Sequence, residues 1–171
     1  VYDRALEFEE SDDDGDEYDY SPPREDWILT SAAYPHAVEI VEEGWRSKMI
    51  LRSTLAVPLN LAERAARKRS GYVEIETTIT LSDNSKRVDF DVQIINQADD
   101  HRLRVRLPVP YHAQTVLTDT QFGSMVRPVT DEAMRQWQQE GWKEAPIPVW
   151  NFLNYAALQH GVNGIALFSE G

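Results

Sequence analysis

The segment YVEIETTITL, residues 72–81, alternates apolar and polar side chains from Val73 onward, with Thr77 in one of the apolar positions. Side chains such as Val73 point to one side of it and those such as Glu74 to the other, which is the period of a β-strand with one face in water. The turn-forming residues 82–85, SDNS, follow directly. The next segment, VDFDVQII at residues 88–95, repeats the alternation, so the two segments predict an antiparallel hairpin.

Further short segments of strand-like character lie on both sides of this hairpin. Many strands at such regular spacing, with little helical pattern between them, are typical of an antiparallel β-sandwich. The predicted fold class is therefore all-β with one short helix. The additional strand segments are residues 37–41, 49–59, 103–109, 114–117, 154–158 and 164–168.

The one helix that the pattern predicts lies between the strand segments of the last third of the chain. Thr130 or Asp131 is suited to cap its start. Met134 and Trp137 lie three positions apart on one face, and Gly141 stands where a helix ends in the left-handed conformation. We expect this helix to be short and to decorate the sheet.

The charge of the chain is concentrated near its start. The 171 residues carry 29 acidic and 17 basic side chains, a net charge of −12, and residues 1–26 hold twelve of the acids but only two of the arginines. The nearly neutral remainder argues against a nucleic-acid binder. The sequence has no cysteine, no apolar run of membrane-spanning length and no signal-peptide start, so we expect no disulfide, no membrane association and a cytoplasmic location.

Residues 9–19, EESDDDGDEYD, are predicted to form an exposed loop because so many like charges resist packing. The loop is either merely solvated or presented to a ligand. A calcium loop of the EF-hand type does not fit, because Gly15 in the glycine position puts a serine where the bidentate glutamate belongs. The predicted domains are an acidic loop-bearing segment at residues 1–26 and a β-sandwich at residues 27–171. The chain starts without methionine and ends directly after a strand-like run, so we expect a fragment cut at its C-terminal end.

The residues themselves indicate no catalytic machinery and no metal site. The four histidines lack the short spacing of zinc ligands, and no carboxylate pair is set apart as nucleophile and general acid. His101 stands in a charged turn at a strand start, with an interface cluster as the alternative. The aromatic-rich residues 137–155 either close a core or seam, the favoured interpretation, or stack on a sugar.

One basic run follows the second strand segment. Residues 60–70 are compatible with a helical turn and with a loop, and both remain open. The basic side chains from Arg64 to Arg69 are predicted to be solvated rather than to form a docking patch.

The chain contains, in this order, GDEYDYSP at residues 15–22, DDHRLRV at 99–105, DTQFG at 119–123 followed by Arg127-Pro128, and WKE at 142–144. These separate motifs, spread along nearly the whole chain, resemble the family 38 α-mannosidases. Two further motifs, VPLNL at residues 57–61 and WQQEGW at residues 137–142, resemble most closely the bacterial mannosylglycerate hydrolases within that family.

The resemblance implies that the chain is the first β-domain behind the catalytic domain, with the supersandwich fold of galactose mutarotase-like domains. It implies a retaining hydrolase of α-mannosides for the parent, with two carboxylates and a zinc ion in an N-terminal domain. None of those residues lies in this sequence, so the chain alone is expected to be inactive and to hold no cofactor. The implied substrate is mannosylglycerate or its 6-phospho form. The implied partners are the parent's catalytic and later β-domains, and a homo-oligomer is one option for the parent.

The resemblance also implies which residues contact the substrate. Tyr18, the first tyrosine of the YDYSP element, matches the family position that reaches the bound mannose, and Asp16 is expected to accept hydrogen bonds from sugar hydroxyls. Arg127 matches the substrate-side arginine of the family, although the order Arg-Pro departs from the Pro-Arg of better-known members. Two alternatives remain for the chain as a whole: an autonomous carbohydrate-binding module and a purely structural or oligomerisation domain.

Overall fold

The computed structural model describes residues 6–16, 20–23, 26–130, 132–144, 146 and 149–169, with the backbone alone at Ala133. The chain divides into two compact units, Val1–Pro108 and Val109–Gly171. The boundary predicted from the sequence lies after residue 26. None of the helices in the described part of the chain has the length and apolar character that a membrane span needs.

The first unit contains two antiparallel sheets. One has the strand order β2-β1-β7 and the other the order β3-β4-β5-β6. Its elements are β1 (Glu7–Asp12), β2 (Leu29–Thr30), a 3-10 turn (Ser31–Ala33), β3 (Ala37–Glu42), β4 (Arg46–Val57), α1 (Leu61–Ala65), β5 (Gly71–Ser82), β6 (Val88–Asn96) and β7 (His101–Arg106).

The hairpin predicted from residues 72–95 is confirmed. Strands β5 and β6 pair antiparallel in a register that places Val73 opposite Asn96 and Leu81 opposite Val88. In the turn between them Asn84 takes a φ of 58°, a left-handed conformation that asparagine tolerates better than most residues. The alternation therefore predicts the pairing correctly, and burial fixes the register at Val73, whereas Val88 is 44% exposed.

Apolar side chains from both sheets form the core of the first unit, which confirms the sandwich. Phe8 and Leu29 come from the three-stranded sheet and pack with the inner face of β4 and β5. Each such side chain contributes about 1.5–3 kcal/mol by leaving water. The buried apolar members contributed by the four-stranded sheet are Leu55, Val57, Val73 and Ile75.

Among its described residues, the second unit forms one antiparallel sheet with the order β11-β10-β8-β9 and one helical turn. Gly123 and Gly161, with φ of 150° and 60°, supply the tight turns of its two hairpins. The elements are β8 (Thr115–Thr120), β9 (Gly123–Pro128), α2 (Ala133–Gln136), β10 (Tyr155–His160) and β11 (Asn163–Phe168).

The prediction of an exposed loop at residues 9–19 was wrong for its first part. Strand β1 is buried along its whole length, with pairs to β2 on one edge and to β7 on the other. The physical reason is charge pairing: Glu9 contacts Arg104, and Glu10 and Asp12 contact Arg64, so that acids packed closely in sequence are neutralised by cations distant in sequence.

The predicted helix is confirmed, but it is shorter than the sequence pattern indicated. The predicted helix is the single turn α2, and Gly141 has the expected left-handed φ of 77°. The undecided run at residues 60–70 contains the short helix α1. Strands β2 and β9 were not predicted, because the first has two residues and the second lacks a period-two pattern.

Candidate functional site

The acidic loop, residues 13–21, is closed at its base by one carboxylate. Asp13 Oδ1 accepts hydrogen bonds from the backbone N–H groups of Gly15 and Ser21, each at 3.0 Å. The N–H of Asp14 donates to the carbonyl of Ser21 at 2.8 Å, and the N–H of Asp13 donates to the carbonyl of Asp100 at 3.1 Å. The two ends of the loop are thus held together where it leaves the sheet, as in an Asx turn.

An arginine on β7 supports the far end of the acidic loop. The guanidinium of Arg102 lies over the ring of Tyr20, 4.1 Å from the ring centroid. Such a cation–π contact contributes about 0.5–1 kcal/mol at an exposed site. Because Arg102 is paired with Ser11 in the sheet, this contact ties the loop to a rigid element.

Two of the sequence-predicted site residues belong to the acidic loop. Asp16 lies exposed in it, within the part that Asp13 closes. Tyr18 lies outside the described residues. The prediction that the loop is exposed holds for residues 14–16 and 20, in contrast to the buried strand that precedes it.

A buried ion network lies at the start of the acidic loop. The guanidinium of Arg64, 2% exposed, contacts the carboxylates of Glu10 and Asp12 and donates to the carbonyl of Trp27 at 3.0 Å. The prediction that Arg64 is solvated was therefore wrong. Its carboxylate partners lie on β1, in the part that the sequence predicts to be an exposed loop.

His101 belongs to the same network. Its Nδ1 lies 3.2 Å from Glu10 Oε1 and its Nε2 lies 3.0 Å from the side-chain oxygen of Asn96. The histidine side chain is buried, so it links β1 to β6 in addition to starting strand β7. The sequence predicted a charged turn or an interface cluster at His101. The structure adds a buried contact between two strands, which neither interpretation includes.

Helix α1 sets the position of Arg64. Asn60 caps its start by accepting a hydrogen bond from the N–H of Glu63, at 3.0 Å. The carboxylate of Glu63 accepts in turn from the hydroxyl and N–H of Ser70 and from the N–H of Leu59. These bonds, led by that of the Ser70 hydroxyl, lower the pKa of Glu63 below its usual value. The helix is a capped and braced turn rather than a free loop.

The third predicted site residue lies in the second unit. Arg127 is on β9, and its guanidinium lies over the indole of Trp150, 4.6 Å from the ring centroid. Its Nε is buried and has no hydrogen-bond partner among the residues that the structure describes. Trp150 is 43% exposed, so only part of the aromatic surface is used by the arginine. The interpretation favoured from the sequence, in which the aromatic residues close a core or a seam, does not explain why Trp150 packs on Arg127.

Asp119 on β8 anchors the chain just behind Trp150. Its carboxylate accepts hydrogen bonds from the N–H groups of Leu153, Asn154 and Tyr155, at 2.9 to 3.1 Å, and from the side-chain amide of Asn154, at 2.7 Å. Burial raises the pKa of Asp119, but these hydrogen bonds together outweigh burial and lower the pKa to about 2. Sequence reasoning gave Asp119 no role, since its main partners are backbone amides that no motif reveals.

The described residues at these two positions provide groups that can recognise a ligand. Within the ranges that the structure covers, no three His, Asp or Glu side chains are grouped so as to hold a metal ion. The groups on offer are hydrogen-bond acceptors in the acidic loop, a guanidinium, and aromatic rings. These are the groups that recognise a polar organic ligand such as a sugar.

Comparison with known proteins gives one family and two related structures. The model of the glycosyl hydrolases family 38 C-terminal domain matches residues 4–171. An α-mannosidase from Enterococcus faecalis is similar over 96% of the chain, with 24% identity and a TM-score of 0.79. A glycosyl hydrolase family 38 protein from the same organism is similar over 96%, with 23% identity and a TM-score of 0.74. The chain spans 20% of the length of each, and no curated protein matches it.

Proposed function

Because the chain belongs to the glycosyl hydrolases family 38 C-terminal domain family, we propose that it is a non-catalytic β-domain of a retaining α-mannosidase. The observation that carries this proposal is the family match over residues 4–171, joined to a fold likeness that spans one fifth of an α-mannosidase chain. The nucleophile, the general acid and a zinc ion would then belong to a catalytic domain in the rest of the parent enzyme.

The acidic loop is the proposed point of contact with substrate in the first unit. Tyr18 would donate to, and Asp16 accept from, hydroxyl groups of the mannose ring. Support comes from the closure by Asp13 and from the Arg102–Tyr20 contact, because both reduce the conformational freedom that a binding loop loses when ligand arrives.

Arg127 is the proposed contact in the second unit. Its flat guanidinium is held on one side by Trp150, which reduces the rotational freedom that the arginine would lose on binding a ligand. A guanidinium suits either vicinal hydroxyls or an acidic group of the substrate.

The proposed substrate is mannosylglycerate or its 6-phospho form, on the basis of the two motifs at residues 57–61 and 137–142. We place the parent enzyme in the cytoplasm, with its own catalytic and later β-domains as the partners of this chain and a homo-oligomer as an option. A second candidate, an autonomous carbohydrate-binding module, is favoured by the exposure of Trp142 and Trp150.

The decisive experiment compares the full-length gene product with the 171-residue chain. We expect the full-length enzyme to hydrolyse α-mannosides, mannosylglycerate best among them, and the chain alone to hydrolyse none. Calorimetric titration of the chain with methyl α-mannoside separates the two candidates. Measurable affinity supports the binding module, whereas the absence of heat supports a substrate contact that is complete only in the parent.

A further inference from the structure

The segment that carries Trp150 has no helix or strand of its own. Residues 149–154 precede β10 as irregular chain, and the indole of Trp150 nonetheless lies at a defined distance from Arg127. An irregular segment holds such a contact only if something outside it fixes its backbone. The described hydrogen bonds identify Asp119 as that anchor.

The carboxylate of Asp119 is fully engaged by this segment. Oδ1 accepts from three consecutive backbone N–H groups, those of Leu153, Asn154 and Tyr155. Oδ2 accepts from the N–H and the side-chain amide of Asn154. Asp119 is buried, at 9% exposure, and its two carboxylate oxygens already accept from these donors, which argues against a role as acid, base or metal ligand.

The β8–β9 hairpin carries Arg127 and also binds the segment that carries Trp150. Asp119 on β8 lies opposite Ser124 on β9, and Ser124 Oγ is 2.5 Å from the hydroxyl of Tyr155. Arg127 lies three residues further along β9. The start of β10 is therefore bound to β8 through Asp119 and to β9 through Ser124. Strand β9 also carries Arg127.

We propose that Asp119 is a positioning residue: it fixes residues 153–155 so that Trp150 stays on Arg127 and directs that guanidinium for substrate contact. The inference rests on the proposed role of Arg127. The side chain of an arginine is flexible and loses rotational entropy when its guanidinium binds a ligand. A ring that already packs against the guanidinium restricts it before binding, so less entropy is lost. Asp119→Asn keeps one acceptor oxygen but replaces the other by an NH2 donor that faces the two donors of Asn154, so the anchor is weakened and the segment releases the indole.

The test in the full-length enzyme uses Asp119→Asn, Arg127→Met and the double variant, with Glu140→Gln as a control that removes an exposed carboxylate of the same unit. We expect each single variant to lower kcat/KM for an α-mannoside by about tenfold, mainly through KM. We expect the double variant to resemble Arg127→Met alone, because both changes remove one interaction. The control should match the unaltered enzyme.

A spectroscopic measurement on the 171-residue chain tests the inference without reference to catalysis. The Nε–H proton of Arg127 lies in the ring current of Trp150, so its NMR signal should be displaced, and Asp119→Asn should return it to the position seen in Trp150→Leu. If Asp119→Asn fails to fold, Asn154→Ala removes only the side-chain donor and should produce a smaller change in the same direction.

The outcomes separate the two claims. A kinetic effect of Arg127→Met without any effect of folded Asp119→Asn overturns the positioning role and leaves the proposed function intact. Additive losses in the double variant, or an unchanged Nε–H signal in Asp119→Asn, overturn it as well. Unaltered kinetics in Arg127→Met overturn the role of Arg127 in the proposed function and the positioning role with it.

Discussion

Arg64 and Glu10, 54 positions apart in the sequence, form a buried ion pair that joins helix α1 to the first strand of the sandwich. The arginine also contacts Asp12 and the carbonyl of Trp27. The pair explains how an acidic strand is buried, and it ties the start of the acidic loop to the core. Removal of one partner leaves an uncompensated charge in a dry environment, which is costly.

We therefore expect Arg64→Met to destabilise the chain by about 3–5 kcal/mol, measured by urea unfolding. Arg67→Met is the matched control, because Arg67 lies in the same region but contributes a cation–π contact to Trp27 rather than a buried ion pair. The control should lose about 1 kcal/mol or less. Equal losses in the two variants would contradict the buried network.

The Asp119 carboxylate makes stability depend on pH. Its pKa is about 2 in the folded chain against an ordinary value of 3.8, so its contribution is complete above pH 3.8 and is lost as pH falls through about 2. The difference in unfolding free energy between the unaltered chain and Asp119→Asn should shrink over that interval. A difference that stays constant from pH 4 to pH 2 would refute this account, and Glu140→Gln serves as the control.

The loop closure by Asp13 is tested by hydrogen exchange. Asp13→Ala removes the acceptor of the Gly15 and Ser21 amides, so both should exchange about fivefold faster, as expected for a net loss of about 1 kcal/mol per hydrogen bond. Asp14→Ala keeps its backbone bond to Ser21 and should change neither amide. Equal protection of the two amides in Asp13→Ala and in the unaltered chain would show that the loop is held by other contacts.

The proposed substrate contact of Tyr18 concerns the full-length enzyme. Tyr18→Phe removes one hydroxyl and should lower turnover of an α-mannoside by about tenfold or more while leaving folding intact. Tyr72→Phe removes a hydroxyl from the exposed Tyr72 on β5 and should leave turnover unaltered. Unchanged turnover in Tyr18→Phe would remove this tyrosine from the site.

The features that the sequence predicted correctly are those set by local patterns. The β5–β6 hairpin follows from the alternation around Val73, because a one-residue slip would turn the buried Val73 and Ile75 to the other face of the sheet. Strand β1 was missed because its charges were judged without their partners, and Arg64 lies 54 positions from Glu10. Burial of such charges depends on the tertiary fold, which no window of sequence contains.

The candidate site was predictable to a smaller extent. Asp16 and Arg127 remain predictions from the resemblance, and the structure adds the residues that contact their surroundings: Asp13 and Arg102 for the acidic loop, Asp119 and Trp150 for the arginine. Asp119 acts through backbone amides and Arg102 through a ring face. Neither contact has a spacing rule, so only coordinates reveal them.

The central claim is that this chain contributes to an α-mannosidase whose bond-breaking residues lie elsewhere in the parent. Its most direct measurement follows hydrolysis of an α-mannoside by the full-length gene product and by the 171-residue chain under the same conditions. We expect hydrolysis with retained anomeric configuration from the full-length enzyme and none from the chain. Hydrolysis by the chain alone, or no α-mannoside cleavage by the full-length enzyme, would contradict the account.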